Sequence, residues 1–259
     1  TLYYKITGDV TDADEWKTYS ASSAQCNLSI GDGAKNLLLQ VKDWFGNSTS
    51  NPIAITLDKT APVINSFILN ANNTLTNTTY LQLTFNVSDV NLQDTIIITG
   101  DLTNAAQITN SSPQQIILTT GDGVKTITAR FQDLAGNISE TSATITLDQT
   151  GPTFNFTPVT WADTTQAINL QFTVSDQRYI KGVALHYIEM DSTADFNNVQ
   201  IITLTPSGQS IEYSDTFTIP ARNATIADSG FVYYYLAVSD TLDNVKYYII
   251  SGETTVSFS

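Results

Sequence analysis

The sequence predicts an all-β protein built of tandem antiparallel β-sandwiches, and three observations carry that prediction. Short runs of alternating apolar and polar residues fill the 259-residue chain, separated every 8–12 residues or so by Gly, Asn, Asp and Ser turn signals. Long helical patterns are absent. The chain also repeats itself: GDGAKNLLLQVKDWFGN at 31–47 returns as GDGVKTITARFQDLAGN at 121–137, and 13 of the 32 positions in 31–62 are identical to those in 121–152. The period is about ninety residues, the size of one small module.

The first module, residues 1–59, opens with ITGDVT at 6–11, which matches ITGDLT at 98–103. In CNLSI, Cys26 alternates with Leu28 and Ile30, which predicts a buried small apolar residue; a single cysteine allows no intramolecular disulfide. The GDG turn at 31–33 then leads into a strand. Residues 1–59 correspond to about 93–149, so the counterpart of 60–92, two strands of a sandwich, is missing from the front. The expected result is an open edge and an unfinished core. Either the chain is a fragment of a longer array, or another subunit donates the strands.

In the second module, residues 60–149, Leu81, Leu83, Phe85 and Val87 of YLQLTFNVSD share one strand face. KTITARFQD at 125–133 alternates through Ile127, Ala129 and Phe131, and SATITLD at 142–148 through Ala143, Ile145 and Leu147; each run ends on an aspartate. The third module, residues 150–259, diverges and is longer. Its strands are expected at 167–176, 181–191, 201–206, 213–220, 231–240 and 245–252, with AVSDTLDN standing where RFQDLAGN stands in the second. Six or seven runs per module point to the immunoglobulin-like arrangement.

The pattern GDGxKxxxxxxxDxxGNxxxxxxxIxLDxTxP resembles the bacterial immunoglobulin-like repeats found in tandem on large prokaryotic surface and secreted proteins, such as adhesin stalks, surface-layer proteins and modular exoenzymes. Gly31, Asp32, Gly33, Lys35, Asp43, Gly46, Asn47, Leu57 and Asp58 carry it in the first module, and Gly121, Asp122, Gly123, Lys125, Asp133, Gly136, Asn137, Leu147 and Asp148 in the second. The third matches more loosely, through VSD, YSDTFTIP and VYYYLAVSD, without GDG or GN. The resemblance implies a passive spacer or binding module outside the cell, and no catalysis.

Charge and motifs narrow the function classes. A net charge of −14 with no Lys/Arg cluster excludes a nucleic-acid footprint and disfavours anionic membranes, and no apolar run is long enough for direct membrane insertion. The one histidine, His186, sits on an alternating strand, and no HExxH, CxxC, phosphate-loop or GxSxG motif occurs. No enzyme chemistry is therefore expected.

The strand-end aspartates are the candidate site. In an immunoglobulin-like sandwich the second-to-third and sixth-to-seventh strand loops lie at the end where the chain enters. Asp58, Asp89 and Asp133 should converge at the first junction, and Asp148, Asp176 and Asp240 at the second, with Asn91, Asp94 and Asp243 as additional donors. Such oxygen sets suit calcium, which would stiffen the joint. The alternative is that each Asp caps its own loop through an Asx-turn. The linkers DKTAP and DQTGP are short and carry proline, which favours extension.

Sequons occur at Asn27, Asn47, Asn72, Asn77, Asn86, Asn110, Asn137, Asn155 and Asn223, with Asn86 expected to face outward. Aromatics gather in the third module at Trp161, Tyr179, Tyr187, Tyr233–Tyr235 and Tyr247–Tyr248, suited to core packing or to stacking on sugars. The sequence as a whole reads as a structural or adhesive segment of an extracellular or cell-surface protein. Its expected partners are copies of itself or further domains of the same chain, with surface glycans as another class. The alternative is the accessory or carbohydrate-binding region of a secreted enzyme.

Overall fold

The computed structural model describes residues 1–12, 14–20, 23–103, 107–157, 166–190, 199–221, 230–248 and 255–258. Trp161 and the sequon Asn223 lie outside the described residues. The chain is all-β: among the described residues the regular structure is strand, apart from one 3₁₀ turn at Asn70–Asn72. Among the described residues no helix is long and apolar enough to cross a membrane, which says nothing of a barrel. By compactness the chain divides into two units, residues 1–71, 82–116 and 127–143 in one, and 72–81, 117–126 and 144–259 in the other.

In the first unit, β1 (Leu2–Gly8), β2 (Lys17–Thr18), β3 (Gly33–Asp43) and β4 (Ser48–Leu57) form one antiparallel sheet in the order β2-β1-β3-β4. Among the described residues of 1–57 there is no second sheet. Cys26 is half-buried rather than buried, because its segment runs outside the sheet. Gly8 carries φ +102°, and a Cβ there would stand 2.1 Å from the Asn36 carbonyl oxygen, which is why ITGD needs its glycine.

The middle residues add β5 (Val63–Leu69), β6 (Leu75–Thr76), β7 (Tyr80–Ser88), β8 (Thr95–Gly100), β9 (Gln107–Thr109), β10 (Gln114–Ile117), β11 (Gly123–Gln132) and β12 (Ile138–Leu147). They form two sheets, β10-β7-β5 and β6-β12-β11-β8-β9. Alternation gave the faces correctly: Leu81, Leu83, Phe85, Ile127, Ala129, Phe131, Ile145 and Leu147 are buried. The Phe85 and Phe131 rings meet at 5.6 Å and join the two layers within the first unit.

The rest of the second unit comprises β13 (Thr153–Phe156), β14 (Ile168–Ser175), β15 (Ile180–Met190), β16 (Gln200–Leu204), β17 (Glu212–Ile219), β18 (Gly230–Asp240), β19 (Val245–Tyr248) and β20 (Thr255–Phe258). The sheets are β13-β14-β17 and β16-β15-β18-β19, with β20 also paired to β18. Leu170, Phe172, Val174, Val183, Leu185, Phe217, Leu236 and Val238 fill the space between them. Each fully buried side chain of this size contributes about 1.5–3 kcal/mol. The expected strand at 245–252 is described only as far as Tyr248.

Candidate functional site: two aspartate nodes

The two sets of three aspartates expected from the sequence are assembled. Within the first unit one carboxylate oxygen each of Asp58, Asp89 and Asp133 lies within 4.8 Å of the others, and within the second unit the same holds for Asp148, Asp176 and Asp240. Their positions follow from topology: Asp89, Asp133 and Asp176 stand just past β7, β11 and β14, Asp240 ends β18, and Asp58 and Asp148 open the linkers. Asp94 is exposed and outside the cluster, and Asp243 pairs with Lys181 at the surface instead.

Each node is organised by an asparagine. Asp133, fully buried, accepts the Asn137 backbone N–H at Oδ1 (2.8 Å) and the Asn137 side-chain amide at Oδ2 (2.7 Å). The same Nδ2 reaches the linker carbonyl of Asp58 at 3.1 Å, so one side chain ties the strand-end loop to the incoming chain. Asp240, also fully buried, repeats this: Asn244 donates its N–H (2.9 Å) and its amide (2.8 Å) to the carboxylate, and Nδ2 also reaches the Asp148 carbonyl at 2.9 Å. Asp43 and Asn47 make the same carboxylate contacts in the first module, at 2.9 and 2.7 Å. The third module thus keeps the Asp–Asn device despite lacking GN: Asp243 adopts the left-handed conformation (φ 65°) that Gly46 and Gly136 hold in the others.

The remaining carboxylates cap their own loops. Asp58, Asp89, Asp148 and Asp176 each accept the backbone N–H two residues on, at 3.1, 2.8, 3.3 and 2.7 Å. The Asx-turn geometry and the convergence of carboxylates therefore coexist.

The nodes differ in what faces the linker aspartate. At the first, the neutral Asn91 amide donates to Asp58 Oδ2 at 3.0 Å. At the second, Arg178, which occupies the corresponding place in SDQR, sets its Nε 3.3 Å from Asp148 Oδ2, an ion pair without hydrogen-bond geometry. Burial pushes the Asp148 and Asp176 carboxyls up from the usual carboxylate range, and neighbouring aspartates add to the shift. For Asp133 burial is the largest single influence and acts in the same direction, but hydrogen bonds from Asn137 together with the Gly136 and Ala135 backbone outweigh it and hold the carboxyl below that range.

A second device was not foreseen from the sequence, which gave the GDG aspartates only a turn role. Asp32 accepts the Lys59 N–H (3.1 Å) and the Thr60 hydroxyl (2.5 Å), and Asp122 accepts the Gln149 N–H (2.8 Å) and the Thr150 hydroxyl. Both thus clasp a linker. The conserved offset between GDG and DxT in the two repeats was the signal available. Lys35 and Lys125 are buried beside these turns and donate to the Ile30 and Thr120 carbonyls.

The other expected residues scatter. The side-chain amides of Asn27, Asn47, Asn77, Asn110 and Asn137 donate structural hydrogen bonds, whereas Asn72, Asn86 and Asn155 are exposed. Tyr187 and Tyr234 face the core, and the half-buried Tyr248 packs against it. His186 stacks on Tyr235 at 4.4 Å, and Tyr235 approaches Tyr247 at 6.3 Å on the outer face of the β15-β18-β19 sheet. Burial holds the His186 imidazole below its usual range.

No protein-family model and no curated protein sequence matches the chain. Among solved structures it is similar to fibronectin(III)-like modules of Clostridium thermocellum CbhA, at 12% identity over 76% of this chain and 92% of that one, TM-score 0.32. It is also similar to a tetra-tandem repeat in the extending region of a large adhesion protein, at 20% identity and TM-score 0.33, where 99% of this chain spans 65% of that one. The FN1–FN3 domains of chicken CNTN1 match at 12% identity over 98% of this chain and 87% of theirs, TM-score 0.30.

Proposed function

We propose that this chain is a non-catalytic structural segment of an extracellular or cell-surface protein, such as a stalk, surface layer or filament subunit. The observation that carries this reading is the repeated Asp–Asn node, in which Asn137 and Asn244 each bind a strand-end carboxylate and a linker carbonyl at once. Together with the clasps of Asp32 and Asp122, the nodes fix how the chain passes from one module to the next, the property an architectural protein needs. Replacing Asn137 and Asn244 together by Ala should widen the spread of inter-module angles in electron micrographs of the chain. An unchanged spread would show that the nodes do not set the joints.

Calcium belongs to this reading at the first junction. Asp58, Asp89 and Asp133 form an all-oxygen donor set, Asp58, Asp89 and Asn91 line an open surface cleft, and among the described residues no side-chain cation pairs with Asp58. At the second junction Arg178 already supplies positive charge.

One observation favours the accessory or carbohydrate-binding reading: the outward strip of His186, Tyr235 and Tyr247, with Tyr233 also exposed. Retention on a glycan array that disappears in Tyr235→Ala and Tyr247→Ala would support it, and retention indifferent to both changes would remove it.

A further inference from the structure

The first sheet carries an aromatic cleft that its repeat does not have. Strand register sets Tyr3 of β1 beside Lys42 of β3, on the face opposite Ile6 and Leu39. The Tyr3 and Trp44 rings stand 6.4 Å apart and are tilted by 31°. With Trp16, Lys42, Asp43 and Gly46 they line a cleft of about 310 Å³, the lower end of the range for small-molecule sites.

The fold does not require these side chains. Through the ITGD and GDG alignments, Tyr3, Lys42 and Trp44 correspond to Thr95, Gln132 and Leu134 of the middle module, which builds the same strands without them. Tyr3, Trp16 and Lys42 are half-buried against one another, whereas Trp44 is 72% exposed. Leu134 is 75% exposed with the first module ahead of it, so openness at this position belongs to the loop itself.

The polar groups of the cleft are held in place. Lys42 Nζ lies 4.2 Å from the centre of the Trp16 ring and 5.9 Å from that of Tyr3, and among the described residues no carboxylate pairs with it. Lys5, also over Trp16, is neutralised by Asp14 at 2.9 Å. Asp43 is fixed by the Asn47 N–H and side-chain amide. One fixed donor and one fixed acceptor thus flank two rings. A wholly apolar occupant would strand both charges away from water, an anion would meet Asp43 and a cation would meet Lys42. A neutral polyhydroxylated ring satisfies all three, with a C–H face for the aromatics and hydroxyls that both accept and donate.

We propose that this cleft binds one ring of a neutral saccharide, stacked on Trp44 and Tyr3, with Lys42 donating to one hydroxyl and Asp43 accepting from another. The site is separate from the tyrosine strip of the second unit, and it serves a stalk and an accessory region alike.

The test is retention of the intact 259-residue chain on an array of neutral and acidic oligosaccharides, then titration with the neutral oligosaccharide that is retained. Retention should persist in high salt. Trp44→Ala should weaken binding about tenfold or more, and Trp44→Phe should restore part of it. Lys42→Met, which keeps an apolar stem over Trp16, should weaken it as well. Because Trp44 is exposed, unfolding of its variants should match the parent. Tyr235→Ala and Tyr247→Ala should leave this binding unchanged. No retention by any neutral oligosaccharide would overturn the proposal, as would retention by acidic ones alone that salt abolishes. Binding that survives Trp44→Ala would overturn it too, and if that binding is lost in Tyr235→Ala it belongs to the strip of the second unit.

Discussion

The two junction nodes share a plan and differ in what faces the linker aspartate. Asp58, Asp89, Asp133 and Asn137 at the first correspond to Asp148, Asp176, Asp240 and Asn244 at the second, with hydrogen bonds that agree to within a few tenths of an ångström. Facing the linker aspartate, however, stands Asn91 in one and Arg178 in the other. Three converging carboxylates repel one another, and the scaffold tolerates this in two ways. The first node leaves the charge beside a neutral amide and an open cleft, while the second places a guanidinium against it. One backbone design therefore sets the linker aspartate beside a neutral amide in one node and beside a guanidinium in the other.

Removing that difference is the most disruptive test. Arg178→Asn makes the second node resemble the first and leaves buried Asp148 without its cationic partner. The pair lies between a buried and a surface ion pair, so the loss should be about 1–3 kcal/mol in the second unit, read by thermal or denaturant unfolding. The variant should also gain a response to calcium that the parent second unit lacks. A variant of unchanged stability would mean that the pair does not offset carboxylate repulsion.

Next in size is the shared asparagine. Asn244→Ala leaves a fully buried carboxylate short of one donor and frees the linker carbonyl of Asp148, a loss of about 1–2 kcal/mol. Asn137→Ala should act in the same direction on the first unit. Asn47→Ala should cost least, because Asp43 is half-buried and water can replace the amide. Equal losses at all three positions would show that burial of the carboxylate is not what gives the asparagine its value.

The sequence made much of this readable. Period-two alternation assigned Leu81, Leu83, Phe85, Ile127 and Phe131 to the core because a strand has only two faces. The convergence of Asp58, Asp89 and Asp133 followed because the topology brings those loops to one end. The linker clasp of Asp32 was hidden: its partners are Lys59 and Thr60, and a carboxylate in GDG already has a sufficient local explanation as a turn residue. The roles of Asn137 and Asn244 were hidden for a related reason. Bonding one carboxylate and one carbonyl at once is a property of loop geometry, to which residue spacing is blind. Asp243, with φ 65°, accounts for the missing glycine in AVSDTLDN, which the sequence already aligned with RFQDLAGN.

Calcium gives the third and smaller contrast. At a free concentration ten times its dissociation constant, a cation bound only to the folded state adds about 1.4 kcal/mol. That gain is expected in the first unit and is absent from the second unless Arg178 is replaced. Unfolding monitored in calcium and in chelator, with hydrogen exchange to localise the change, separates the two. An equal gain in both units, or in neither, would break the distinction drawn from Asn91 and Arg178.

Acidification gives the smallest contrast and the one with opposite signs. In the second node burial and neighbouring aspartates raise the Asp148 and Asp176 carboxyls above the reference value of 3.8. A raised carboxyl is harder to ionise folded than unfolded, so its penalty is fully present at neutral pH. That penalty is relieved as pH falls through the folded-state value and is gone below the unfolded one. In the first node Asp133 lies below its reference value of 3.8, because the hydrogen bonds from Asn137 and from the Gly136 and Ala135 backbone together outweigh burial. Its contribution is present above that value and is lost only as pH falls through the lower, folded one. Lowering the pH from neutral toward 4 should therefore stabilise the linker and strand ends around Asp148 and Asp176 while leaving those around Asp133 unaffected. Protection factors corrected for the intrinsic exchange rate at each pH measure this residue by residue. Parallel trends at the two nodes would mean that Arg178 and Asn91 leave the same electrostatic balance behind them.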